Sequence, residues 1–238
     1  MGRRGECQRD SRRGRSVTAS ALALDHLVVA ARSLSEGAAW CEAMLGIAPG
    51  PGGKHPLMGT HNRLFSIASA AFPRAYFEII AIDPDAPPPA RQRWFDLDEP
   101  ALRDAIAREP QLIHWVARCD DINAHCLRWR GAGIEPGKPI GAERDTPRGV
   151  LRWRISVRDD GARGFGGALP TLIEWGDVHP ADAMPASGVA LDRLTLSGVP
   201  DAAWPSVATA GVGRAADGPA LLAQLSTPRG RVTLRSSV

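Results

Sequence analysis

Two histidines and two glutamates, one of each in either half of the chain, are the residues best suited to chemistry. His26 and His114 each lie near the start of an apolar run, and Glu78 and Glu174 lie in later apolar runs of the same halves. Ionisable side chains among strand-forming residues are costly to bury unless they are paired or bound to a metal. The repeated pattern therefore predicts a duplicated module with one shared site.

The hydrophobic pattern and the turn residues predict the elements of the first half. A Val- and Leu-rich run predicts a strand over residues 24–30. A helix follows, with Ser33 or Ser35 as its N-cap and Gly46 just after its C-terminus. Two further strands are predicted over residues 63–70 and 75–82.

The second half repeats this order after a rigid, Pro-rich linker over residues 83–89. Its first strand is predicted over residues 112–118, and Asp120 or Asp121 caps the helix that follows. Its other strands are predicted over residues 150–157 and 169–175, and a shorter third set comprises a strand over 190–196, a weak helix over 200–209 and strands over 220–225 and 231–234.

This order of elements indicates the fold class. Consecutive antiparallel strands with one helix on a single face make an α+β unit. We therefore predict an α+β protein of paired βαβββ modules with a short β-rich extension at the C-terminus. The expected organisation is a disordered basic extension over residues 1–20, a first module over 21–90, a second module over 91–182 and a βαββ-like extension over 188–238.

The composition is typical of a soluble globular protein, with 44% hydrophobic and 23% charged residues. The net charge is +3, but residues 1–15 carry six Arg against one Glu and one Asp, so the basic excess belongs to the N-terminus and argues against a nucleic-acid partner. The four cysteines form no CxxC pair, which favours free thiols in a reduced cytoplasm. No apolar run reaches the roughly 18–20 residues needed to span a membrane.

Several short motifs together resemble the vicinal-oxygen-chelate superfamily, and most closely its glyoxalase-like branch. The resemblance covers residues 22–182 best, and residues 227–234 resemble the tail of that branch. The matching motifs are Leu24-Asp25-His26-Leu27-Val28-Val29, His55-Pro56, Gly59-Thr60-His61-Asn62, Tyr76-Phe77-Glu78, Leu151-Arg152-Trp153-Arg154, Ile173-Glu174-Trp175-Gly176 and His179-Pro180.

This resemblance implies curved mixed sheets around a cleft that holds one divalent metal ion. Its implied ligands are His26, Glu78, His114 and Glu174, from the first and last strands of each module. Such nitrogen and oxygen donors suit Zn, Ni, Co, Mn or Fe, with positions left open for a bidentate substrate. The metal would act as a Lewis acid that stabilises an enolate. By the same resemblance, Glu78 or Glu174 would leave the metal and act as the base.

Other interpretations of these four residues remain open from the sequence alone. His26 and His114 could be ordinary strand histidines whose polar atoms are satisfied. Each glutamate could instead pair with an arginine on an adjacent strand, and Arg63, Arg152 and Arg154 are the candidates.

Candidate substrate-binding residues lie in two segments. His61, Asn62 and Arg63 follow a Gly-rich loop, although turn chemistry also explains that loop. The second segment alternates Arg152 and Arg154 with Trp153, so that arginines on a concave face would bind an anionic substrate. A solvated strand face for the arginines and core packing for the tryptophan are the alternatives.

The sequence thus predicts a metal-dependent lyase or isomerase that acts on a small vicinal-oxygen substrate through a stabilised enolate. Two carboxylates fit that chemistry better than the two-histidine, one-carboxylate set of an extradiol-type dioxygenase, which is an alternative. A metal-free module that binds a drug or antibiotic is the other alternative. A small-molecule substrate is the only predicted partner, and either a monomer or a homodimer is compatible with the linker.

Overall fold

The computed structural model describes residues 21–146 and 149–237. The predicted N-terminal extension, residues 1–20, lies outside the described residues. Among the described residues, no helix combines the length and the apolar character that crossing a membrane requires.

The first module has the predicted order of strand, helix and three strands. Ser33 caps its helix by accepting a hydrogen bond from the Glu36 amide, and Gly46 ends it with a φ of 76°. Its elements are β1 (Ala23–Ala30), α1 (Leu34–Leu45), β2 (Lys54–His55), β3 (Thr60–Ser66) and β4 (Tyr76–Ile82).

The second module repeats this order, and Asp121 caps its helix as predicted by accepting from the Ala124 amide. A helix that the hydrophobic pattern does not predict, α2 (Pro100–Arg108), lies in the connection between the modules. The elements of the second module are β5 (Gln111–Arg118), α3 (Ile122–Gly131), β6 (Lys138–Thr146), β7 (Gly149–Val157) and β8 (Thr171–Trp175).

The remaining chain forms a smaller sheet with the order β10-β9-β11-β12. Its elements are β9 (Ala190–Leu196), α4 (Trp204–Val207), β10 (Val212–Arg214), β11 (Leu221–Thr227) and β12 (Gly230–Arg235). The predicted β-rich extension is therefore confirmed as a fold feature.

The two modules share one eight-stranded sheet with the order β2-β3-β4-β1-β5-β8-β7-β6. They join where β1 pairs antiparallel with β5, while β1 and β5 each pair parallel with the last strand of their own module. The sheet curls so far that its two edges approach each other. A Cβ atom on Gly53, beside β2, would lie 2.2 Å from a guanidinium nitrogen of Arg144 on β6.

Two hydrophobic cores cover the two faces of this sheet. The convex face packs against α1, α3 and the smaller sheet, and Leu27 and Trp115 are fully buried there. The concave face is filled at one end by the inter-module connection, which contributes Trp94, Phe95 and Leu97 together with buried residues of α2. The open cleft is consequently confined to the other end of the concave face.

Candidate active site

The candidate site begins with a β-bulge in β1. Leu24 pairs with Ala117 and His26 pairs with Val116, so Asp25 is the extra residue without a partner on β5. A bulge bends a strand and re-aims a side chain. As a result, a carboxylate oxygen of Asp25 lies 2.8 Å from Nδ1 of the adjacent His26.

Asp25 is fully buried and is surrounded by donors. Its other oxygen accepts hydrogen bonds from His179 Nε2 at 2.9 Å and Trp175 Nε1 at 3.1 Å, with a guanidinium nitrogen of Arg118 at 3.5 Å. Burial opposes its ionisation, but the hydrogen bonds from His179 and His26 hold the pKa of Asp25 below its usual range. Asp25 is therefore a carboxylate at neutral pH.

His26 lies between two carboxylates. Its Nε2 is 3.5 Å from a carboxylate oxygen of Glu78, and the ring of Tyr76 stacks on the imidazole with 4.5 Å between centroids. Burial disfavours the charged ring, but the hydrogen bond to Asp25 and the negative charges of Glu78 and Asp25 raise the pKa of His26 to about 9. His26 is thus an imidazolium at neutral pH.

Glu78 lies on the floor of the cleft and is 5% exposed. Asn62 Nδ2 donates to Glu78 at 2.6 Å, and Asn62 Oδ1 accepts from the Gly53 amide at 2.8 Å, which fixes the orientation of the amide group. Burial opposes the ionisation of Glu78, but His26 and Asn62 hold its pKa below the usual range. The floor therefore carries an anion beside the His26 cation.

His55 completes the polar floor in a neutral form. Burial lowers the pKa of His55 to about 4, with a smaller contribution from the Arg144 guanidinium. Its Nδ1 lies 3.0 Å from Thr60 Oγ1, and its Nε2 lies 3.3 Å from Asn62 Nδ2.

The walls of the cleft are mainly aromatic and apolar. The space above Glu78 is about 430 Å³, part of which is open to solvent. Phe95 and the next residue, Asp96, both have positive φ values, 62° and 59°, which non-glycine residues rarely adopt. This backbone turn holds the connection against the concave face. The wall residues include Trp94, Phe95, Arg144, Leu151, Trp153 and Trp175.

His114 lies on the same face of the sheet but makes different contacts. Its Nε2 accepts from the Thr171 amide at 3.1 Å and lies 3.0 Å from Thr171 Oγ1, while Phe95 packs against its ring at 4.9 Å. Burial and the Arg163 guanidinium lower the pKa of His114 to about 3, so the ring is neutral.

Glu174 lies on the convex face, away from the other three predicted ligands. Its carboxylate accepts from the Ile122 amide at the start of α3 at 2.7 Å, and a guanidinium nitrogen of Arg154 lies 3.5 Å away. Glu174 thus lies beside Arg154, which is the alternative of an arginine partner that the sequence left open.

The predicted four-ligand metal set does not fit this arrangement. Glu174 is on the wrong face, both nitrogens of His26 face carboxylates, and Nε2 of His114 is occupied by a backbone donor. Within residues 21–146 and 149–237, no group of three or more His, Cys, Asp or Glu side chains is arranged to hold a metal ion. Only His26 and Glu78 of the predicted set lie together.

The predicted substrate-binding residues separate in the same way. Asn62 and Trp153 line the cleft. His61 instead faces Asp83 at 3.9 Å, and Arg63 is an exposed residue on that same side of β3. Arg152 and Arg154 lie on the outer side of β7, where Arg152 pairs with Glu143 at 3.0 Å and Arg154 donates to Asn123 at 2.8 Å.

Several residues of the site lie outside the predicted set, and its polar members are Asp25, His55, Tyr76, Arg144 and His179. The sequence does mark Asp25 as a candidate, because a carboxylate inside an apolar strand needs polar partners. No local pattern marks Arg144, which reaches the cleft only because the sheet curls.

The fold and this cleft define a protein of the vicinal-oxygen-chelate class. The glyoxalase-like domain family matches residues 24–210, so the chain belongs to that family. No functionally curated protein is detectably similar to the chain in sequence.

Solved structures match the chain at low sequence identity. A hypothetical protein from Staphylococcus aureus has a TM-score of 0.55 and 14% identity, covering 90% of this chain and 86% of its own. Methylmalonyl-CoA epimerase from Mycobacterium tuberculosis has a TM-score of 0.38 and 15% identity, covering 68% of this chain and 91% of its own. The Staphylococcus aureus structure supports the fold assignment.

Proposed function

We propose that this protein is an isomerase or lyase that removes a proton from a carbon next to a carbonyl group. The observation that carries the proposal is the pairing of the Glu78 carboxylate with the His26 imidazolium on the cleft floor. Glu78 is the base, and Asn62 holds its carboxylate in place.

His26 supplies the positive charge that such a reaction needs. At 3.5 Å, its contact with Glu78 is longer than an ordinary hydrogen bond, so the Nε2–H remains available to a substrate oxygen that lies beside the two side chains. Negative charge that develops on this oxygen is stabilised by the imidazolium. Asp25 keeps His26 protonated and oriented.

The proposed step conserves protons within the cleft. Glu78 takes the proton from carbon while the carbonyl oxygen, now an enolate, accepts a hydrogen bond from His26. In an isomerase Glu78 returns the proton to a different atom of the enolate. In a lyase the electron pair expels a leaving group from the adjacent carbon, and the leaving group takes the proton from Glu78. A metal ion bound through Nε2 of His114 would displace the Thr171 amide, so we base the proposal on His26.

The test is solvent exchange at carbon in the intact protein. 2-Oxo acids from pyruvate to 2-oxooctanoate, which carry two adjacent oxygen groups, are incubated in D2O, and proton NMR follows the loss of protons at C3. We expect the protein to accelerate exchange and Glu78→Gln to reduce the acceleration by at least about 100-fold. Glu174→Gln is the matched control and keeps the wild-type rate.

Two results would contradict the proposal. Exchange that is unaffected by Glu78→Gln would remove Glu78 as the base. Tight binding of these acids without any exchange would favour the metal-free binding module, whose ligand would contact the aromatic walls formed by Trp94, Trp153 and Trp175.

A further inference from the structure

We infer that the substrate is an amphipathic carboxylate, with its acid group on Arg144 and an apolar chain in a groove next to the cleft. The inference rests on the proposed function and names the substrate class of the same site. Three features carry it, namely the apolar groove, the position of Arg144 and the residues that the groove shares with the cleft.

The groove lies between the first module and the segment that follows β8. It encloses about 1260 Å³, part of which is open to solvent. Val178, one of its lining residues, is 42% exposed. Its apolar lining includes Ile47, Pro51, Leu64, Phe65, Val178 and Met184.

Arg144 provides the charge complementary to an acid group. It lines both the cleft and the groove, and no carboxylate of residues 21–146 and 149–237 forms an ion pair with it. Its guanidinium lies close enough to the cleft floor to contribute to lowering the pKa of His55. A partly buried guanidinium without an anionic partner is a suitable binding group for a carboxylate.

The two spaces are adjacent. Leu64, Arg144, Leu151 and Pro180 line both of them. A molecule whose carboxylate contacts Arg144 can therefore place a neighbouring carbon at Glu78 while its chain runs along the groove. His179 is the other titratable side chain of the groove lining, and it is engaged with Asp25.

The binding of simple probes to the intact protein tests the inference. Acetate, hexanoate, decanoate and uncharged decan-1-ol are titrated while the fluorescence of the cleft tryptophans is followed. Because burial of each methylene is favourable, we expect affinity to rise about threefold to fourfold per methylene along the acid series. Decanol should bind about tenfold more weakly than decanoate because it lacks the charge.

Variants separate the charged and the apolar contributions to binding. Arg144→Gln should weaken decanoate about tenfold and leave decanol unchanged, because it removes only the charged contact. Arg231→Gln, an exposed arginine on the smaller sheet, is the matched control and should bind like the wild type. Equal decanoate affinity in Arg144→Gln and wild type would overturn the inference.

The other possible occupant of the groove is a second copy of the chain. A dimer that dissociates in Val178→Asp, together with acid affinities that are independent of chain length, would overturn the inference in its favour. Glu78→Gln separates this inference from the proposed function, because it should abolish exchange while decanoate affinity is maintained or increased. Loss of exchange with intact chain-length dependence would support both.

Discussion

Thr171 occupies the position in the second module that Glu78 occupies in the first. Glu78 pairs with Val28, two residues after His26, and Thr171 pairs with Val116, two residues after His114. The counterpart of the His26–Glu78 contact is therefore the His114–Thr171 contact. The second module lacks a carboxylate at the position where the first module has one.

This relationship predicts that a metal site can be built by one substitution. Thr171→Glu would place a second carboxylate beside His114 and provide the two-histidine, two-carboxylate set that suits Ni or Zn. Its added charge favours a metal ion that displaces the proton of His26 and the backbone amide of residue 171 from His114 Nε2. Purified without chelator, wild-type protein should contain well below one equivalent of metal, and Thr171→Glu at least about tenfold more after incubation with Ni²⁺. Elemental mass spectrometry provides the measurement.

Thr171→Gln is the control for size, because it lacks the charge and should not gain metal. A wild-type protein with one equivalent of metal that is lost in His114→Ala would contradict the prediction. It would restore His114 as a ligand, and Glu174→Gln would then show whether the fourth predicted residue takes part.

Glu174 should contribute to stability and not to the reaction. Its carboxylate accepts from the Ile122 amide at the start of α3, which has no acceptor within the helix. Glu174→Ala should therefore lower the free energy of unfolding by about 1 kcal/mol, while Glu174→Gln, which keeps an acceptor oxygen, should stay closer to wild type. Urea denaturation gives the stability, and an unchanged exchange rate in both variants checks the assignment.

The pH dependence should have an alkaline limit set by His26. Its pKa is raised from 6.5 to about 9 in the folded protein, so the protonated ring stabilises the fold fully below 6.5 and the contribution is lost as the pH rises through about 9. Exchange activity should fall over the same range, because the neutral ring no longer stabilises an enolate. Activity and chemical denaturation between neutral and alkaline pH measure both effects.

Asp25→Asn tests the origin of this limit. With one of the two carboxylates removed, the pKa of His26 should fall and the alkaline limb should move to lower pH. His179→Gln is the comparison, because it perturbs Asp25 without removing its charge. An alkaline limb that stays in place in a folded Asp25→Asn protein would contradict the role of Asp25.

The element order could be predicted from the sequence because each strand and cap has a local signal. Side-chain direction could not, because it depends on register. Glu174 is three residues after Thr171, and an odd offset places the two side chains on opposite faces of β8. The bulge at Asp25 has the reverse effect, since it directs two consecutive residues into one site. Neither the register of the strands nor the position of the bulge can be predicted from the spacing of residues along the chain.

Gly53 should control the position of Arg144 across the mouth of the cleft. A Cβ atom at this position would lie 2.2 Å from a guanidinium nitrogen of Arg144, and it would displace the flexible end of a side chain and leave the backbone unstrained. We expect Gly53→Ala to weaken decanoate binding about tenfold, as the charged contact is lost. The free energy of unfolding should change by less than about 0.5 kcal/mol.

Gly141→Ala is the matched control, because it lies on β6 with Arg144 and a Cβ atom there meets nothing within 4 Å. It should bind decanoate like the wild type. Both variants are titrated calorimetrically with decanoate and decanol. Displacement of the Arg144 guanidinium should weaken the binding of decanoate alone, whereas a blocked groove would weaken the binding of both ligands. Decanoate affinity that is equal in the two variants would show that the acid group binds elsewhere than at Arg144.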